Sequence, residues 1–170
     1  MTTTPQLLFL DDDGTFPNSR LPVVLWRNGI PVQGHNGAGV IEQRFRDNGW
    51  QGTWRNGIFS YHHYHSTAHE VLGIGRGNVT VTLGGPSGER LELQAGDVVL
   101  LPAGAAHRNL GASGDLIVVG AYPPGPHPDI LRGDPGDRPE ADRNIATVAL
   151  PGADPTTGQA GAPDAWRGDS

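Results

Sequence analysis

The chain of 170 residues contains no cysteine and no lysine, so all 12 of its basic residues are arginine. The missing cysteine excludes disulfides, thiolate metal sites and a cysteine nucleophile, and any metal must therefore be bound through nitrogen and oxygen. The missing lysine removes one of the two cations that grip phosphate groups. The formal net charge of -6 gives no support for binding nucleic acid or an anionic membrane.

Long apolar runs are also scarce. The longest early run, residues 7–10, is far too short for a signal peptide or a membrane span, which predicts a cytoplasmic protein. In contrast, 26 glycines and 15 prolines interrupt the chain. This punctuation favours many short strands and turns over long helices, and the length suits one domain.

Short apolar and alternating runs predict an all-β chain with one short helix. The helix is expected at residues 38–48, because Ile41 and Phe45 are spaced i, i+4 among polar neighbours. The run at 97–101 is apolar on both faces, which is typical of a central strand. Strands are predicted at 7–10, 23–26, 58–65, 70–75, 78–83, 91–93, 97–101, from 107 onward, and at 116–122.

The composition changes after Tyr122. Prolines and charged residues dominate from there, and only residues 145–150 predict a further strand. We therefore divide the chain into a barrel with its N-terminal strands, 1–122, and a Pro/Gly-rich C-terminal arm, 123–170, that packs on the barrel or on a partner subunit. The anchor points expected for this arm are Ile145, Val148, Leu150 and Trp166.

Four of the seven histidines lie within residues 61–70. On a strand, His63 and His65 point to one face and His62 points to the other. His69 is adjacent to Glu70 and is expected to face away from it. We therefore interpret His62 and His69 as lying outside a site that His63 and His65 begin; His35 and His127 lie in loops and are expected to face solvent.

Two further side chains from neighbouring strands can join this pair. Glu70 opens the next predicted strand and His107 opens a later one, so three imidazoles and a carboxylate can meet around one metal ion. Such a donor set suits a divalent Fe, Mn, Ni, Cu, Co or Zn ion. Tyr61 shares the face of His63 and is a candidate for a hydrogen bond to substrate or dioxygen, although it can equally fill the barrel.

The spacing of these residues resembles the two motifs of the cupin superfamily. The first motif matches Gly57, His63, His65, Glu70 and Gly77, and the second matches Gly96, residues 102–104 and His107. Where the second motif usually ends on asparagine, this chain has Gly111. A narrower resemblance, carried by residues 12–14, 17–18, 63–73 and 120–123, is to a small bacterial cupin subfamily without an established function.

The resemblance implies a double-stranded β-helix, the cupin or jelly-roll barrel, with His63, His65, Glu70 and His107 as metal ligands. The function expected first is a metal-dependent oxidoreductase, a dioxygenase of the non-haem iron type, acting on a small molecule. The alternatives are a metal-dependent isomerase or lyase, and a small-molecule-binding barrel without turnover. Cupin barrels commonly pair through edge strands, so a homodimer is expected, with the N-terminal strand or the arm at the interface.

Overall fold

The computed structural model describes residues 4–167. The strands within these residues are β1 Gln6–Leu8, β2 Val23–Trp26, β3 Gln51–Asn56, β4 Glu70–Arg76, β5 Asn78–Leu83, β6 Glu89–Gln94, β7 Val98–Leu101, β8 His107–Ala112 and β9 Ile117–Tyr122. The helices are α1 Gly37–Asp47 and α2 Glu140–Thr147, with a 3-10 turn at Asp164–Trp166.

Two antiparallel sheets face each other and form the barrel. One has the strand order β1-β2-β7-β4-β9-β3, and the other has the order β6-β5-β8. Side chains alternate across β2, where Leu25 points into the space between the sheets and Trp26 packs on the outside. The predicted all-β barrel is confirmed. The run apolar on both faces is β7, which lies between β2 and β4 as a central strand.

The outer face of the larger sheet is covered by α1 and by the C-terminal arm. Ile41 and Phe45, the i, i+4 pair of the predicted helix, are fully buried against this sheet. Trp166 of the arm packs into the same layer and donates its indole N–H to the carbonyl of Pro22 at 2.8 Å. Of the other expected anchors, Ile145 and Val148 are half-buried and Leu150 is exposed.

Two expected strands are not formed. Residues 58–65 run beside β8, but their main chain pairs with that of β8 at only two points: Asn109 N–H donates to Phe59 O, and His63 and His107 exchange both backbone hydrogen bonds. Four residues on one side therefore span two on the other, and this mismatch prevents a regular ladder.

The second correction concerns the arm. Residues 145–150 do not form a strand, because residues 140–147 form α2, which gives the chain a second short helix. Ala141 and Ile145, four residues apart, both pack into the apolar cluster that contains Phe16 and Tyr64. Their spacing on one helical face is the physical reason for this helix.

Among residues 4–167, no helix is long and apolar enough to cross a membrane. β1 lies at one end of the larger sheet, and Leu7 and Phe9 near it are exposed. The homodimer stays a prediction, and measurement of the mass in solution would test it.

Candidate metal centre

The irregular segment between β3 and β4 holds His63 and His65 in place through its main chain. The paired backbone hydrogen bonds between His63 and His107 are 2.9 and 3.2 Å long, so these two residues lie directly opposite each other. The carbonyl of His65 accepts the N–H of Gly104 at 2.7 Å. A pairing with the first residue of β8 and a contact with the turn before it therefore hold this segment, and both histidines are buried.

The four side chains predicted from the sequence come together inside the barrel. The ligand atoms of His63, His65 and His107 all lie within 4.8 Å of one another. Glu70 begins β4 on the face that points between the sheets, and its Oε1 lies 3.2 Å from Nε2 of His65 and 3.4 Å from Nε2 of His107. The three-histidine cluster could hold a metal ion; the assignment of all four residues as ligands stays a prediction.

Backbone carbonyls fix the orientation of each imidazole ring. Nδ1 of His63 contacts the carbonyl of Tyr61 at 3.0 Å, and Nδ1 of His107 contacts that of Ala105 at 3.0 Å. Nδ1 of His65 contacts the carbonyl of Asp129 at 2.5 Å. Because a carbonyl oxygen can only accept, each Nδ1 carries hydrogen, so each ring in its neutral form presents the Nε2 lone pair to the cluster. A hydrogen bond from the ring nitrogen that does not face the metal to such an acceptor is the contact that metal-binding histidines usually make.

The charges of the cluster also fit a cation. Burial, together with the neighbouring His107, lowers the pKa of His63 to about 3, so its imidazole is neutral. Burial alone would raise the pKa of Glu70, but the imidazoles of His65 and His107 outweigh it and lower that pKa. Burial would lower the pKa of His65, but the charge and hydrogen bond of Glu70 outweigh burial and raise it. An ionised carboxylate thus lies buried among imidazole nitrogens, an arrangement that a divalent ion would neutralise.

The sequence indicated no role in the site for Tyr122, Trp54 or Gly120, yet they support this carboxylate. The indole N–H of Trp54 donates to the Tyr122 hydroxyl at 2.9 Å, and that hydroxyl lies beside Glu70. Burial, followed by the charge of Glu70, raises the pKa of Tyr122 far above its usual range. A Cβ on Gly120 would overlap the Trp54 ring, so the indole can occupy its place only because this residue is glycine.

Tyr61 is placed differently from Tyr122. Its ring stacks on Phe59, with the ring centroids 4.9 Å apart, and the guanidinium of Arg132 lies 3.7 Å from its ring centroid. Its backbone carbonyl is the acceptor for His63 Nδ1, and its ring lies edge-on to the His63 ring at a centroid distance of 5.6 Å. The suggested hydrogen bond from its side chain to a substrate stays a prediction.

The four remaining histidines lie outside the metal cluster. The ring of His62 packs on Phe16 at a centroid distance of 5.6 Å. His69 lies under the arm against Trp166, at 4.6 Å, and its Nδ1 accepts the N–H of Ala103. Burial lowers the pKa of His69 to about 4, so it is a neutral imidazole within the outer layer. His35 and His127 are exposed.

Asp129 ties the C-terminal arm to the histidine segment. Its carboxylate accepts the N–H of Ser66 at 2.6 Å, the hydroxyl of Ser66 at 2.5 Å and the N–H of Thr67 at 3.3 Å. Its carbonyl is also the acceptor for His65 Nδ1. One residue of the arm therefore positions both the main chain and the ring of a candidate ligand.

The cluster forms the inner end of a cavity of about 170 Å³ that opens to solvent. Phe59 and Ile130 line its mouth, where their side chains are exposed. The lining residues are Trp54, Asn56, Gly57, Ile58, Phe59, His63, His65, Glu70, Leu72, His107, Tyr122 and Ile130.

Comparison with known proteins gives matches in sequence and in structure. The family model described as a cupin domain matches residues 54–119. The chain is 38% identical over 160 residues to a protein of Bacillus subtilis (strain 168) named uncharacterized protein YjlB, and the match covers 94% of each chain.

The comparison with solved structures also gives matches over part of the chain. Acireductone dioxygenase from Bacillus anthracis, with a cadmium ion in its active centre, is 16% identical, with 64% of this chain and 82% of that chain covered and a TM-score of 0.44. Oxalate decarboxylase from Bacillus subtilis, described with Mn(II) centres, is 16% identical, with 66% of this chain and 28% of that chain covered and a TM-score of 0.35. The family assignment depends on the two sequence matches: the chain belongs to the cupin family.

Proposed function

We propose that the chain binds one divalent transition metal through His63, His65, Glu70 and His107 and uses it as a metal-dependent oxidoreductase, a dioxygenase, acting on a small molecule. The observation that supports this most is the orientation of the rings. Three carbonyls direct three Nε2 atoms to one point beside an ionised carboxylate. That point lies at the inner end of a cavity that a substrate can enter.

The donor set fits Fe, Mn, Ni, Zn, Co or Cu, which accept imidazole and carboxylate ligands together. Four protein ligands would leave two positions of a six-coordinate ion for exogenous molecules. When bound, the metal would supply its chemistry by activating the molecules at these two positions. The protein side chains orient the ligands, exclude water along the apolar wall and hold Glu70 ionised.

The lining of the cavity favours redox chemistry over isomerisation or elimination. Those reactions need a side chain that takes or gives a proton near the substrate. Among the described lining residues, the titratable groups are the four candidate ligands and Tyr122. Tyr122 is held between Trp54 and Glu70 with a raised pKa, which makes it a poor proton donor or acceptor near neutral pH.

Oxygen consumption tests this function. The full chain, reconstituted anaerobically with Fe(II), is expected to consume oxygen with at least one compound from a panel of diols, thiols and diketones. The His63→Ala/His107→Ala variant is the control for free iron. Metal-loaded protein that consumes no oxygen across the panel would contradict a dioxygenase. Turnover without oxygen would favour the isomerase or lyase, and a co-purified molecule bound unchanged would favour the binding protein.

The contacts of Asp129 predict a measurable effect on metal affinity. The Asp129→Ala variant keeps the main-chain carbonyl but loses the carboxylate that holds Ser66 and Thr67. Because outer contacts of this kind are worth roughly 10–100-fold in affinity, we expect the metal Kd to rise about tenfold or more, as measured by competition with a fluorescent chelator. Asp134→Ala, at an exposed aspartate of the same arm, is the control; equal affinities in both variants would refute the role of Asp129.

A further inference from the structure

Beyond the candidate ligands, the wall of the cavity is apolar. Trp54, Ile58, Phe59, Leu72 and Ile130 provide most of it. Among the described residues that line it, none is an arginine, and the sequence has no lysine. A molecule that enters the cavity therefore meets charge only at the inner end.

Two other polar side chains line the wall, and neither offers a free group beside its apolar part. Asn56 is exposed at the surface, and its side-chain oxygen accepts the N–H of Gly57 at 2.9 Å. The Tyr122 hydroxyl accepts the indole N–H of Trp54 and lies beside Glu70 at the inner end. A second polar or charged group on the ligand, held against the apolar wall, would be removed from water without a partner, and such burial is unfavourable.

The volume of the cavity limits the size of the ligand. Its volume of about 170 Å³ is close to the roughly 150 Å³ of a cavity lined by Leu, Ile and Phe that takes up benzene. Phe59 and Ile130 are 45% and 52% exposed at the mouth, so an apolar body can extend between them toward solvent.

We infer that the ligand of this cavity has one metal-binding polar group at one end and an uncharged apolar body of about one ring at the other. The inference rests on the proposed metal site, because the polar end is the part that the His/Glu cluster receives. It predicts that small dicarboxylates and phosphorylated sugars are not ligands of this cavity, since both carry charge at the end that would face the apolar wall.

Three hydroxamic acids that share one metal-binding group test this inference. The full chain loaded with Zn(II) is titrated with acetohydroxamic acid, benzohydroxamic acid and 4-carboxybenzohydroxamic acid by calorimetry, with tryptophan fluorescence as a second readout. Since a phenyl ring adds several buried carbons, we expect benzohydroxamic acid to bind about tenfold more tightly than acetohydroxamic acid, or better. The distal carboxylate is expected to remove that gain.

Two phenylalanine variants localise the effect. Phe59→Ala removes an apolar side chain at the mouth and is expected to lower the ratio of the two affinities by about threefold. Phe9→Ala, at a phenylalanine that is 67% exposed near β1, is the matched control and is expected to keep the ratio.

The outcomes separate the two proposals. If metal-loaded protein binds acetohydroxamic acid but all three compounds bind equally, or the 4-carboxy compound binds most tightly, the inference about the ligand is wrong and the metal site stands. If none of the three binds to metal-loaded protein, the open metal site is wrong, and the inference that depends on it is wrong as well.

Discussion

The His63→Ala/His107→Ala variant is expected to take up no divalent metal, whereas the unaltered chain takes up one ion. The substitutions remove two of the three imidazole nitrogens that lie within 4.8 Å of one another and leave His65 and Glu70 as the only remaining members of the set. Elemental analysis of protein purified without added metal, and again after loading, measures the effect.

Thermal unfolding gives a second measure of the same loss. A metal at 1,000 times its Kd stabilises a folded protein by about 4 kcal/mol. For a chain of this length, that corresponds to a rise of roughly 8–16 °C in Tm. We expect this rise for the unaltered chain and no rise for the double variant.

His62→Ala is the matched control, because it removes an imidazole from the same segment whose ring packs on Phe16 outside the cluster. It is expected to keep full metal uptake. The hydrogen bonds that join His63 to His107 are made by the backbone, so the double variant can keep its local structure, which circular dichroism checks. Metal uptake retained by the double variant but lost in His62→Ala would show that the ligand set is wrong.

The Gly120→Ala variant is expected to lose both stability and metal affinity. The added Cβ would lie closer than 3.0 Å to three atoms of the Trp54 indole, which must then leave its place. Overpacking of this kind costs about 1–3 kcal/mol, or roughly 2–12 °C in Tm. Tyr122, which lies beside Glu70, then loses the indole N–H that positions its hydroxyl, so we expect the metal Kd to rise about tenfold or more.

Two further variants separate the clash from a general effect of alanine in a strand. Gly111 lies in β8, and a Cβ there would meet nothing within 4 Å, so Gly111→Ala is expected to leave Tm and metal Kd nearly unchanged. In Trp54→Ala the obstructing ring is absent, and adding Gly120→Ala is expected to cause little further loss of stability. A full additional loss in the double variant would mean that the clash with Trp54 is not the cause.

The candidate ligands could be predicted because their spacing is local or tied to strand starts. His63 and His65 stay on one side even though residues 58–65 do not form the expected strand, since the single bridge between His63 and His107 fixes the alternation. The alternation in β4 likewise separates Glu70, which faces inward, from His69, which packs under Trp166. The missing cysteine had already limited the metal to nitrogen and oxygen donors.

The supports of the site could not be predicted, for two physical reasons. The acceptors for the three Nδ1 atoms are backbone carbonyls, which any residue has, so no residue type in the sequence reveals them. Asp129 lies 64 residues from His65 and reaches it only because the arm folds back on the barrel.

The sequence by itself determined most of the barrel strands, although not β3, as well as the charge balance and the four residues that meet in the cluster, because these follow from period-two alternation and composition. The tertiary structure decided that α2 replaces the strand expected at residues 145–150 and that Gly120 leaves room for Trp54. It also decided that the cavity beside the cluster is apolar. Each of these depends on contacts between segments far apart in the chain, and such contacts leave no local pattern.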